Sequence, residues 1–186
     1  MTIAYIVNRN GRGTDPILTR TADRLAALGV AVAGMVQTNT DRDDGCRCDM
    51  DVRILPTGEV YRISQNRGPE ARGCRLDPSQ LEAGVALMER ALGEGAEVLV
   101  LNKFGKHEAE GRGCCSTIGR AVGAGVPVLL AVGPLNLDAF LRFAGDFAEE
   151  IAPSSDALTR WALDRILDPT TSQTRAATGL SGHPAA

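Results

Sequence analysis

A chain of 186 residues, 44% apolar and 23% charged, is sized for one globular domain, and a formal charge of -3 argues against non-specific attraction to nucleic acid or an anionic membrane. No apolar run approaches the roughly 18 residues needed to cross a bilayer, and Met1-Thr2-Ile3-Ala4-Tyr5 lacks the basic start of a secretory signal. The expectation is a cytoplasmic protein with neither a membrane nor a nucleic-acid partner. Five cysteines, an odd number without secretory context, point to reduced thiols or metal-bound thiolates rather than disulfides.

The apolar run Ile3 to Val7 predicts a strand, followed by a polar loop from Asn8 to Thr14 and a helix. Asp15 is the expected N-cap, Pro16 suits the first helical position, Leu18, Ala22, Leu25 and Leu28 share a face, and Gly29 ends the helix. Val30 to Val36 reads as a second buried strand, so strand, helix and strand form a right-handed unit of a largely parallel sheet. From Thr38 to Pro78 charge, glycine and cysteine dominate. Two β-like runs there, Val52 to Leu55 and Val60 to Ser64, flank the turn Pro56-Thr57-Gly58 and predict a cysteine-bearing hairpin inserted over residues 38–78. A helix from Ser79 to Leu92, strands at Val98 to Leu101 and Val128 to Val132, and helices at Leu137 to Ile151 and Ser155 to Leu167 complete a single α/β domain of three layers over residues 1–168. The tail 169–186 has the composition of a disordered segment.

The loop Asn8-Arg9-Asn10-Gly11-Arg12-Gly13-Thr14 lies where doubly wound sheets place ligands, beyond a strand's carboxyl end and before a helix N-terminus. Backbone N–H groups and the helix dipole favour an anion there, and Arg9 and Arg12 could add charge-assisted bonds. Yet the lysine and hydroxyl of G-x-x-x-x-G-K-[ST] are absent, and Pro16 stands where a dinucleotide fingerprint needs its third glycine. A plain connecting loop is the competing reading.

A second cluster, Asn102-Lys103-Phe104-Gly105-Lys106-His107-Glu108-Ala109-Glu110-Gly111-Arg112-Gly113, follows an apolar strand. In a nucleotide hydrolase this strand end offers an acid to magnesium or water, and here Asn102 takes its place. Arg9, Gly11, Arg12, Gly13, Thr14, Asn102, Lys103, Lys106, Glu108 and Arg112 are therefore the candidate anion- or nucleotide-binding residues, and no catalytic residue is assigned. The third constellation is Cys46, Cys48, Cys74, Cys114 and Cys115, whose thiolates beside Arg47, Arg72, Arg75 and Arg112 would have lowered pKa values and could hold a soft metal or an iron–sulfur cluster. Adjacent Cys114 and Cys115 cannot both serve one site in regular structure, and buried cysteines packing as small hydrophobes are the alternative. With His183 in the tail, only His107 could serve a Cys-His or Ser-His-Asp hydrolase, and nothing pairs with it at a recognisable spacing.

The phrase Asn102-Lys103-Phe104-Gly105-Lys106 with Glu108, Gly111 and Gly113, together with Cys48-Asp49-Met50-Asp51, Arg62-Ile63-Ser64-Gln65 and Cys74-Arg75-Leu76-Asp77, resembles an uncharacterised bacterial family, domain of unknown function 2478, over roughly residues 3–150. That family is similar to small P-loop nucleoside-triphosphatases and often lies near molybdate transport genes. The resemblance implies a degenerate P-loop NTPase-like fold; in the related triphosphatases acids stand at the positions of Asn102 and Lys103, and a phosphate-loop lysine follows the first strand. Three functions come from these readings. The first is a non-hydrolysing binder of an oxyanion, molybdate among them, or of a nucleotide, in metal homeostasis. The second is a cysteine-ligated metal or iron–sulfur protein, and the third a true nucleoside-triphosphatase. The partner would be a small anion or metal, and a homo-oligomer is compatible with such a sheet.

Overall fold

The computed structural model describes residues 2–7, 13–40, 48–65 and 76–168. Loop positions Arg9, Gly11 and Arg12, thiols Cys46 and Cys74, and the tail expected to be disordered lie outside the described residues.

The described elements, in chain order, are β1 (Ile3–Val7), α1 (Asp15–Ala27), β2 (Val32–Thr40), β3 (Asp49–Leu55), β4 (Val60–Arg62), α2 (Pro78–Gly93), β5 (Val98–Phe104), α3 (Lys106–Ala109), α4 (Cys115–Gly123), β6 (Val128–Val132), α5 (Leu137–Ala144), β7 (Ala148–Glu150) and α6 (Ser155–Ile166). They build one seven-stranded sheet in the order β4-β3-β2-β5-β6-β1-β7. Strands β2, β5, β6, β1 and β7 run parallel, and β3 and β4 continue the sheet antiparallel beyond β2. The expected mostly parallel α/β fold is what the chain adopts.

Strands buried on both faces explain the unbroken apolar runs of β1 and β6. One face of the sheet, with Tyr5, Leu99, Leu101 and Leu130, packs against α2, α4 and α5; the other, with Ala4, Ile6, Val100 and Leu129, packs against α1 and α6. Leu18 and Leu25 of α1 are fully buried, each stabilising the fold by about 1.5–3 kcal/mol. At Gly34, φ is +147° and a Cβ would lie 1.9 Å from the Val100 carbonyl oxygen. Only glycine lets β2 approach β5 this closely.

Several boundaries differ from expectation. Thr14, not Asp15, is the N-cap of α1, with no side-chain cap bond, and Asp15 is the first helical residue. Strand β2 runs on to Thr40 because its polar end finds β3: Gly34 to Thr40 pair with Leu55 to Asp49. The insertion boundary expected at Thr38 therefore falls inside β2. The helix expected from Leu137 to Ile151 stops at Ala144, where Gly145 turns to φ +51°, and Ala148 to Glu150 add an edge strand on β1. Helix α4 was not foreseen.

Candidate functional site

The carboxyl ends of β2 and β5 meet at one edge of the molecule, and a bulge re-aims the residues there. Leu101 pairs with Leu130 and Phe104 with Val132, so Asn102 and Lys103 together oppose one residue of β6. Phe104 thereby packs in the same core as Leu101, while Asn102 is buried and Lys103 is exposed. Bulges commonly direct side chains in this way at functional edges.

Glu108 organises the loop that follows. Its carboxylate accepts from the N–H of Gly105 at 2.9 Å and of Cys114 at 3.1 Å, and the Cys115 thiol donates to its carbonyl at 3.2 Å. Gly113, at φ +59°, leaves the space this needs, since a Cβ there would lie 2.1 Å from Glu108 Oε1. Glu108 is thus turned inward onto the loop's backbone. Arg112 pairs with Glu110, which also lies 3.9 Å from Lys106 Nζ. Lys103 makes no ion pair among the described residues.

Side-chain amides link this rim to the start of α1. Asn102 Nδ2 donates to Gln37 Oε1 at 3.0 Å, Gln37 Nε2 to Asn39 Oδ1 at 2.7 Å, and Asn39 Nδ2 to Asp15 Oδ2 at 2.8 Å. Asn102 Oδ1 is buried without a partner among the described residues, and a buried acceptor left unpaired costs about 1–3 kcal/mol. Gln37 separates two hollows. On the α1 side an open cleft of about 570 Å³ is lined by Gly13, Asp15, Thr19, Arg20, Thr38 and Asn39. On the α2 and α3 side a cavity of about 230 Å³ is mostly apolar, with Asn102, Lys103, Lys106 and His107 among its lining.

Of the expected anion-binding set, the structure brings Asn102 and Lys103 together at the strand end, puts Lys106, Glu108 and Arg112 on the adjoining loop, and sets Gly13 and Thr14 at α1. Gln37, Asn39 and Asp15, which join the two rims, were not foreseen as site residues. A polar run directly after the apolar residues of β2 was their only trace in the sequence.

The two thiols beside Glu108 depart from the expected lowering of their pKa values. Burial, with the Glu108 carboxylate beside it, pushes the Cys114 thiol up to about 12, and the same causes raise Cys115. Both shifts run opposite to the lowered values anticipated beside arginines. Cys114 packs in the core, Cys115 is half-buried, and Cys48 precedes β3. Among the described residues no group of three or more His, Cys, Asp or Glu side chains is placed to hold a metal ion, and no helix is long and apolar enough to cross a membrane.

The other signature phrases close the hairpin onto the sheet. Arg62 donates to Asp49 at 2.8 Å and Asp51 at 2.9 Å, the Met50 N–H donates to Ser64 Oγ, and Ser64 bridges Leu76. Asp77 then caps α2 by accepting from the N–H groups of Ser79 and Gln80.

Similar proteins share this frame. Over 162 residues the chain is 31% identical to the molybdenum import ATP-binding protein ModC 2 of Bradyrhizobium diazoefficiens, which covers 87% of the chain but only 18% of that protein's length. It is 30% identical over 131 residues to the nucleoside-triphosphatase THEP1 of Thermofilum pendens, covering 68% of the chain and 71% of that protein. The solution structure of a human cancer-related nucleoside triphosphatase superposes with a TM-score of 0.57 at 20% identity, over 81% of this chain and 87% of that one. With residues 3–161 matching the family described as protein of unknown function DUF2478, the chain belongs to that family and has a P-loop NTPase-like fold.

Proposed function

We propose that the chain binds an anionic ligand at the carboxyl end of its sheet, an oxyanion or a nucleotide, and does not hydrolyse it. The observation that carries this reading is Asn102. At the strand end where related triphosphatases place an acid, a neutral amide is buried and committed to Gln37, so position 102 offers no carboxylate to magnesium or to an attacking water. The neighbouring Lys103 carries positive charge instead.

The residues proposed to hold the ligand are Arg9, Gly11, Arg12, Gly13 and Thr14, with Lys103, Lys106 and Arg112 supplying further positive charge. The α1 cleft, at about 570 Å³, falls within the roughly 300–1,000 Å³ usual for small-molecule sites. Likeness to a molybdenum import ATP-binding protein makes molybdate the first oxyanion to try and metal homeostasis the proposed setting. Calorimetric titration with molybdate, tungstate, sulfate, ATP and GTP tests the reading. One of these gives saturable heat, and Lys103→Ala weakens it by about fivefold, roughly 1 kcal/mol for an exposed cation. Absence of heat with all five ends the proposal.

A further inference from the structure

The cavity on the far side of Gln37 is separate from the α1 cleft and differs from it in character. Met35, Met50, Val52, Ile63, Leu81 and Leu101 supply an apolar lining, contributed by β2, β3, β5, α2 and the residue after β4. At about 230 Å³ it is smaller than the roughly 300–1,000 Å³ of pockets that enclose whole drug-sized ligands. It suits a ring, not a complete nucleoside triphosphate. Two methionines favour an aromatic ring, because the thioether adapts to irregular shapes and makes favourable contacts with ring edges.

Polar features define what the ring must carry. Asn102 lines the cavity, only 7% exposed, and its Oδ1 accepts from no group among the described residues. Its Nδ2 is already given to Gln37, so Oδ1 is the atom of the amide left unpaired among the described residues. A ligand that satisfies it must donate. Lys103 and Lys106, both exposed, and half-buried His107 belong to the rim, while Glu108 is turned onto backbone N–H groups. The rim therefore favours a negative group.

We propose that this cavity is a second binding site, for a heteroaromatic ring bearing an N–H donor and carried on a small organic anion. The ring lies among Met35, Met50 and Leu101, its N–H donates to Asn102 Oδ1, and its anionic group faces Lys103. This goes beyond the anion cleft and shares only Lys103 with it.

Methyl NMR of the full chain, with adenine, AMP and ribose 5-phosphate as probes, tests the assignment. The Met35 and Met50 methyl signals shift saturably with adenine and AMP, and not with ribose 5-phosphate. Asn102→Leu weakens adenine binding by about tenfold, the size expected when a buried hydrogen bond is lost. Lys103→Ala weakens AMP but not adenine. Leu81→Trp fills the cavity from the half-buried face of α2 and abolishes both responses, while any calorimetric heat with the ring-free anions molybdate or sulfate persists, so failure here is distinguishable from failure of the cleft. Methyl signals unmoved by adenine and AMP, or adenine binding unchanged in Leu81→Trp, overturn the proposal. If Asn102→Leu does not fold, Leu81→Trp decides alone.

Discussion

The two rims at the carboxyl end of the sheet are built by opposite means. At α1 the first turn has no side-chain cap, Asp15 accepts from the exposed Asn39 as its one side-chain partner among the described residues, and the hollow beside it is open and polar. At α3 a buried carboxylate gathers two backbone N–H groups, and the hollow beneath is apolar. An unclamped rim can adjust to a ligand at little cost, whereas a clamped one is pre-organised and loses heavily when its clamp is removed. The same sheet edge thus offers one adaptable surface and one rigid one, with Gln37 in contact with both.

Breaking the strand beneath both rims has the largest expected effect. Gly34→Ala forces a Cβ against the Val100 carbonyl, where backbone cannot yield, and a stability loss above about 4 kcal/mol is expected. Chemical denaturation showing a folded variant within about 1 kcal/mol of wild type would refute the close β2–β5 approach.

Glu108→Ala separates the rims. It strands the N–H groups of Gly105 and Cys114, for a loss of about 2–4 kcal/mol, and hydrogen exchange should place the lost protection on the α3 loop and not on α1. Equal loss at both rims contradicts the distinction.

Cys114 sharpens the comparison through pH. Its thiol ionises near 9 in the unfolded chain but only at about 12 when folded, so between these values the unfolded state binds fewer protons and stability falls as pH rises. The loss reaches about 1.4 kcal/mol by pH 10. Cys114→Ala should flatten that slope, and denaturation midpoints from pH 8 to 10 provide the check. An unchanged slope means the thiol is not the group responsible.

The smallest effect is expected at the open rim. Asn39→Ala removes an exposed bond to Asp15 and should cost no more than about 0.5–1.5 kcal/mol. A loss as large as that of Glu108→Ala would show the α1 rim to be clamped as well.

Much of the fold was legible where burial on two faces writes a continuous apolar run. Ile3–Val7 and Val128–Val132 have the bounds their sequence implies, and α2 differs by one residue at each end. Legibility failed where pairing, not burial, sustains a strand: Gln37 to Thr40 are polar yet remain in β2 because β3 accepts their hydrogen bonds, and Ala148 to Glu150 form a strand because β1 has an open edge. The loop after β5 was recognisable as a candidate site from its glycines and charges. Which charges face inward was not, since Glu108 and Glu110 look alike in sequence, and only the space left by Gly113 selects the first as the clamp. Asn102 was singled out as a replaced acid, but its partnership with Gln37 joins residues 65 apart in the chain and leaves no local trace.

The central claim, that the frame binds an anion without turnover because Asn102 stands where an acid is needed, is tested most directly by single-turnover phosphate release. With protein in molar excess over γ-labelled ATP or GTP and magnesium present, the nucleotide is expected to be recovered intact after prolonged incubation. Release of about one labelled phosphate per nucleotide, lost in the Lys106→Ala protein, would contradict it.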